Sequence, residues 1–206
     1  MTETTPKKRR RPVVNSYLDG QLLIAMPAMS DKRFARSVVY MCLHNADGAM
    51  GLIINQRADK VTFAHLLREL GVLRKGAEDE MPASVLDRNV QIGGPVKMEH
   101  GFVLHSPDYS TAKSTLEIDR TIRLTNTVDI LKAIARGRGP GQAIVALGYA
   151  GWAAGQLESE IQGNGWLSCP ADPDLVFDPN LELKYDRALA KLGVDASHLV
   201  SYAGRA

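Results

Sequence analysis

The segment GYAGWAAGQLESE (148–160) concentrates residues whose types and spacing could do chemistry. A chain that runs through glycines from a strand into a helix can hold an anion, because free backbone N–H groups and the helix dipole converge there. The spacing matches neither GxGxxG nor GxxxxGK, and no Lys or Arg occurs anywhere in 139–183. The alternative is structural: Gly151 and Gly155 let Trp152 and a neighbouring backbone pack closely. Gln156 and Glu160, at i and i+4, share a helix face and would line a groove if that face is open. Glu158 and Glu160 are two apart and point about 200° away from each other on a helix, which suits them poorly to paired acid–base work.

A second segment, IGGPVKMEHGFVLH (92–105), contains Gly93-Gly94-Pro95, a sequence that demands a special backbone. It forms either a tight hairpin bend or a rigid loop that presents backbone groups to a ligand. In the second case a cleft would lie between this segment and 148–160, with His105 and Glu160 as its polar groups. The candidate ligand or partner surface is therefore Gly93, Gly94, Pro95, His105, Gly151, Trp152, Gln156 and Glu160.

No catalytic residue is assigned. The histidines His44, His65, His100, His105 and His198 stand in no HExxH or CxxC context, so neither a metal nor a cofactor is expected. There is no GxSxG, and Cys42 and Cys169 carry no local sign of activation. Both read as free thiols packed as small hydrophobes. Cys42 and His44 share a strand face by alternation but lie roughly 7 Å apart along it.

The elements that must position these residues follow from hydrophobic period. GQLLIAMP (20–27) reads as a buried strand, and SDKRFARS as a short helical turn capped by Ser30 or Asp31. Residues 37–55 form a hairpin through Asn45–Gly48. Thr62 caps a helix over 62–71 that Gly71 ends. Residues 74–88 are charged and loop-like, and 89–94 with 101–106 suggest a second hairpin around Pro95. LEIDRTIRLT (116–125) alternates as one half-exposed strand, and Asn126 caps a helix to Gly137. A buried strand (143–151), a helix (152–163), an extended exit through NGWLSCP, an amphipathic helix (181–193) and a turn near Gly204 complete the chain. Hairpins outnumber βαβ units, which favours an α+β type of α/β fold with a mixed sheet and helices packed around it.

The chain has 206 residues and a net charge of +2, but that charge is unevenly placed. Lys7, Lys8, Arg9, Arg10 and Arg11 fall in a polar tail, 1–16, that reads as disordered. Residues 12–206 carry 20 basic and 22 acidic side chains. Nucleic-acid binding by the domain at 17–206 is disfavoured, because a phosphate backbone calls for clustered cations. The tail is either a solvated segment or a salt-sensitive contact for nucleic acid or anionic lipid. No apolar stretch approaches the roughly 20 residues of a membrane helix, and no export signal is evident, so a cytoplasmic location is expected.

The motifs GQLLIAMPAMSDKRFARSVVYMCLHNADGAMGLIIN, GGPV followed by GFVLH, and LGYAGWAAGQLESEI with NGWL resemble the bacterial YqgE/AlgH family, in order, over nearly all of 17–206. The resemblance implies one compact domain with a mixed, bifurcated sheet and a small barrel-like part surrounded by helices. It also implies a cytosolic bacterial protein. Some members are labelled transcriptional regulators of exopolysaccharide production, and the family brings no catalytic residue set to carry over. A helix-turn-helix with a basic second helix is not evident. The expected function is non-catalytic binding or regulation through a protein partner, with the cleft-bearing ligand binder or enzyme as the alternative, and tail-driven nucleic-acid binding as a third.

Overall fold

The computed structural model describes residues 17–74, 81, 85, 88–111 and 114–194. The basic tail, most of the 74–88 segment and the turn near Gly204 fall outside them. Ten strands form one mixed sheet in the order β10-β1-β2-β3-β9-β6-β8-β7, with β5 also beside β9 and β4 outside β5. Their spans are β1 Gln21–Ala25, β2 Val38–Asn45, β3 Gly48–Ile53, β4 Arg57–Thr62, β5 Asn89–Ile92, β6 Val96–His105, β7 Thr115–Glu117, β8 Arg123–Thr125, β9 Ala143–Ala153 and β10 Trp166–Pro170. The helices are α1 Phe63–Glu69, α2 Val128–Ala135, α3 Gln156–Gln162, α4 Pro173–Val176 and α5 Leu181–Lys191, with a 3-10 turn at Lys32–Phe34. The sheet curls into a half-barrel with the helices packed on it, the mixed and bifurcated arrangement that the family resemblance implied.

β9 is the strand that divides the sheet. Val145–Leu147 pair with β5 in parallel and with β6 antiparallel, whereas Ala150–Ala153 pair with β3. The change of partner occurs at Gly148, whose φ of +69° only glycine adopts without strain. Both faces of the central strands are buried, which explains their near-continuous apolar runs. Leu22, Ile24, Val38, Tyr40 and Leu52 pack on one face with Leu175, Tyr185 and Leu189. Leu23, Val39, Met41 and Ile53 pack on the other with Trp152, Leu157 and Trp166. α1 and α2 cover Val90, Val103 and Val145 in a third cluster.

Capping chemistry sets several helix ends as expected. The Thr62 hydroxyl accepts the His65 N–H at 3.1 Å, and Asp31 accepts the Arg33 N–H at 3.0 Å. Cys42 and Cys169 are free thiols in the core, and burial raises the pKa of both.

Five local expectations are corrected. β5 and β6 are not a hairpin: β9 lies between them, and Gly93-Gly94-Pro95 carries the chain across it. Residues 116–125 are a hairpin, β7–β8, not one strand, because the Asp119 carboxylate accepts the N–H groups of Thr121 and Ile122 and closes a turn. Trp152 lies within β9, which runs to Ala153, and does not begin a helix; α3 starts at Gln156 after Gly155 at φ +75°. Thr127, not Asn126, stands at the N-cap of α2, without a side-chain cap bond. Finally, His44 does not share a face with Cys42. Met41 pairs with Gly51 and Leu43 with Met50, so a bulge at Cys42 turns each later side chain of β2 to the opposite face.

Candidate functional site

The carboxylate of Glu160 is the centre of the best-organised polar cluster. The indole N–H groups of Trp152 and Trp166 both donate to its Oε2, at 2.9 and 2.8 Å. Gln156 Nε2 donates to Oε1 at 2.8 Å, while Gln156 Oε1 accepts the Ala153 N–H at 3.0 Å. The i, i+4 spacing on α3 therefore does what helix geometry allows, joining Gln156 to Glu160. A carboxylate offers about four lone-pair sites. Three are filled, so one on Oε1 is left for another donor.

This carboxylate sits in a cleft of about 720 Å³. One wall is the 26–34 segment, with Met26, Met29 and Phe34; the others are Pro95 and Val96, the end of β9, α3, and 163–166. The Trp152 and Trp166 rings meet edge to face at 5.8 Å, and Phe34 lies 6.5 Å from Trp152 and 5.5 Å from Trp166. Arg33 and Asp31 at the rim pair with each other, Nη2 to Oδ2 at 2.6 Å. The Arg33 side chain is what holds the Asp31 carboxyl below the usual carboxylate range.

α3 is tied to the sheet by a buried histidine. His44 Nδ1 accepts the Leu18 N–H at 3.1 Å, so the ring proton sits on Nε2 and is donated to Glu158 Oε1 at 3.0 Å. Glu158 and Glu160 thus serve opposite sides of α3: one docks the helix, the other enters the cleft.

The structure brings Pro95, Gly151, Trp152, Gln156 and Glu160 together on this cleft. Gly93 and Gly94 are not on it. They press against β9, where a Cβ on Gly93 would lie 2.3 Å from the Gly148 oxygen. The Gly93 N–H donates to Leu147 O and its carbonyl accepts from Ile53, so its backbone is committed to the sheet and does not face a ligand. His105 is not there either. It pairs with Ala143 at the far end of β9, nine residues and roughly 30 Å of strand from Trp152. Fully buried, it donates from Nδ1 to Ser106 O at 2.8 Å and accepts the Thr125 hydroxyl on Nε2 at 2.9 Å. Burial lowers its pKa. Trp152 itself is buried, with 7% of its surface exposed, and is no exposed loop residue. Among the described residues no cluster of His, Cys, Asp and Glu converges as a metal site, and no helix is long and apolar enough to cross a membrane.

Phe34 and Trp166 complete the site and were missed as site residues by sequence reasoning. Both stood in motifs already noted, SDKRFARS and NGWL, but nothing local indicated that two segments over a hundred residues apart would meet.

Residues 22–197 match the family profile described as AlgH-like. The chain belongs to that family. A UPF0301 protein of Afipia carboxidovorans is 56% identical over 191 residues, covering 93% of this chain and 91% of the relative. Another from Methylobacterium nodulans is 56% identical with the same coverage. The solution structure of the AlgH protein from Pseudomonas aeruginosa matches with a TM-score of 0.73 at 40% identity, covering 100% of both chains. The crystal structure of protein DIP2367 from Corynebacterium diphtheriae shares the fold, with a TM-score of 0.65 at 21% identity over 93% of this chain and 90% of that one. AlgH-like membership thus rests on the whole span that builds both the half-barrel and the cleft.

Proposed function

We propose that this AlgH-like chain is a non-catalytic binding or regulatory protein, acting in the cytosol through protein contacts made at the Trp152–Trp166–Glu160 cleft. Residues 17–206 act on this reading as one domain. The observation that carries it is the fixing of Glu160 by three side-chain donors inside an aromatic cleft. Such a carboxylate is built to hold a partner in register. Polar groups held by neighbours make specific contacts, and aromatic anchors in a pocket supply affinity. Ser30 and Asp31 both stand on the cleft wall, but the Asp31 carboxylate is taken up by the Arg33 guanidinium rather than by the serine hydroxyl.

Two variants test this without touching the core. Gln156→Ala removes a donor to Glu160 at an exposed position, and Ala28→Arg fills the cleft from an exposed lining position. Cross-linked pull-down from a bacterial extract should recover a protein with the wild type that both variants lose, while both melt within a few degrees of the wild type. Recovery of the same proteins by all three chains would show that the cleft is not the contact surface.

A further inference from the structure

We infer that the cleft takes an extended segment of a partner protein that carries an arginine side chain. This rests on the protein-contact reading above and specifies its chemistry. A second hollow, about 530 Å³, adjoins the cleft and shares Val96, Gly151 and Trp152 with it. Residue 151, on the wall they share with Val96 and Trp152, is an exposed glycine, so an extended segment that crosses there would reach both hollows as one groove. The second hollow has an apolar lining of Leu43, Met50 and Tyr149, and the Asp47 carboxylate beside it. Leu43 is 44% exposed there, brought to this face by the bulge in β2.

The charge of the groove is one-sided. Asp31 and Arg33 neutralise each other at the rim, which leaves Glu160 and Asp47. Neither is paired with a cation among the described residues. No Lys or Arg from 139–183 can supply one. An open acceptor position on Glu160 selects an N–H donor and rejects carboxylates and phosphates. The aromatic lining selects among donors: a flat, weakly hydrated guanidinium stacks on rings, whereas an ammonium holds its water.

The chain contains two tryptophans, and both line the cleft, so tryptophan emission, excited selectively over the six tyrosines, reports on this site. The test titrates the full chain with three acetylated, amidated pentapeptides, Gly-Leu-X-Leu-Gly, where X is arginine, citrulline or glutamate. The arginine peptide should give a saturable change in emission. It should bind at least tenfold more tightly than the citrulline peptide, which has the same shape without the charge, and the glutamate peptide should not bind. Asp47→Asn, a surface change that removes no hydrogen bond of that carboxylate among the described residues, should weaken the arginine peptide alone. Equal binding of arginine and citrulline peptides overturns the inference and leaves the cleft as a binding site. Silence toward all three, with a partner from extract that still depends on the cleft, overturns the arginine assignment only. Silence together with cleft-independent capture overturns both readings.

Discussion

Gly94 lies so close to Tyr149 that a Cβ placed on it would stand 2.1 Å from the Tyr149 carbonyl carbon. Its φ of +153° is equally closed to other residues. Gly94→Ala should therefore destabilise the protein by about 4 kcal/mol or more, read as a large fall in the urea midpoint. Gly155→Ala is the contrast: its φ is +75° but open space surrounds it, and about 1 kcal/mol is expected. Similar costs for the two would mean that the crossing of β9 is not tightly packed.

Trp152 and Gln156 should separate packing from recognition. Trp152→Ala empties a buried site and should cost about 3–5 kcal/mol, so its effect on any partner will be confounded by unfolding. Gln156→Ala should cost no more than about 1 kcal/mol and still free Glu160 from one of its three donors. Thermal melts alongside tryptophan emission spectra check this; a Gln156→Ala chain that fails to fold would make the cluster a stability device.

Lys184 gives a pH signature. It is fully buried, its Nζ donating to Ile54 O at 2.9 Å and Val176 O at 2.6 Å, and burial pushes its pKa down to about 7. Above pH 7 the folded chain releases a proton that the unfolded chain keeps until about pH 10.4. Stability should therefore rise with pH, by up to about 1.4 kcal/mol per unit from this group. The rise is cleanest between pH 7 and about 8.5, because beyond that the unfolded state ionises Cys42 while the buried thiol resists. Denaturant melts across that window should show the slope in the wild type and its loss in Lys184→Met. An unchanged slope in the variant would place the titrating group elsewhere.

Tyr40 and Asp119 give the acid-side counterpart. The Tyr40 hydroxyl, on a fully buried side chain, donates to Asp119 Oδ2 at 2.8 Å, joining β2 to the β7–β8 turn. Burial opposes the charge on Asp119, but the N–H groups and hydroxyls around it outweigh that and hold the carboxyl below its usual value. Its contribution is present above about pH 4 and is lost as pH falls further. Tyr40→Phe should cost about 1.5–3 kcal/mol at pH 7 and progressively less in acid. A pH-independent cost would show that the ring's packing, not the bond to the carboxylate, is what matters.

Much of the fold was legible because local chemistry determined it. Thr62, Asp31 and Gly71 mark the ends of their elements by capping, and the alternation of Leu22–Ala25 and Val38–Met41 fixes two buried faces. Some failures were local, such as the turn that Asp119 closes within 116–125, but those that shape the site were non-local. Nothing between Asn89 and Ser106 records that β9, which begins only at Ala143, will enter between β5 and β6. β4 went unread because its exposed, charged sequence Arg57–Thr62 hides a strand at the sheet margin. The cleft was half visible: Gln156 and Glu160 are neighbours by helix period, but Phe34 and Trp166 reach them only through the folded sheet. The inclusion of His105 failed for the same reason, since sequence spacing says nothing about which end of β9 a β6 residue faces.

The central position of β9 also bears on how the molecule is assembled. β3, β5 and β6, drawn from residues 48 to 105, share no neighbour until residues 143–153 arrive to lie among them. A chain still being synthesised can close the β2–β3 hairpin on its own, but most of its sheet margins stay open until the final third emerges. Long-range pairing of this kind slows folding and lengthens exposure of unpaired edges. The strand that builds the cleft wall is thus also the keystone of the domain, and the site comes into being only when the whole sheet does.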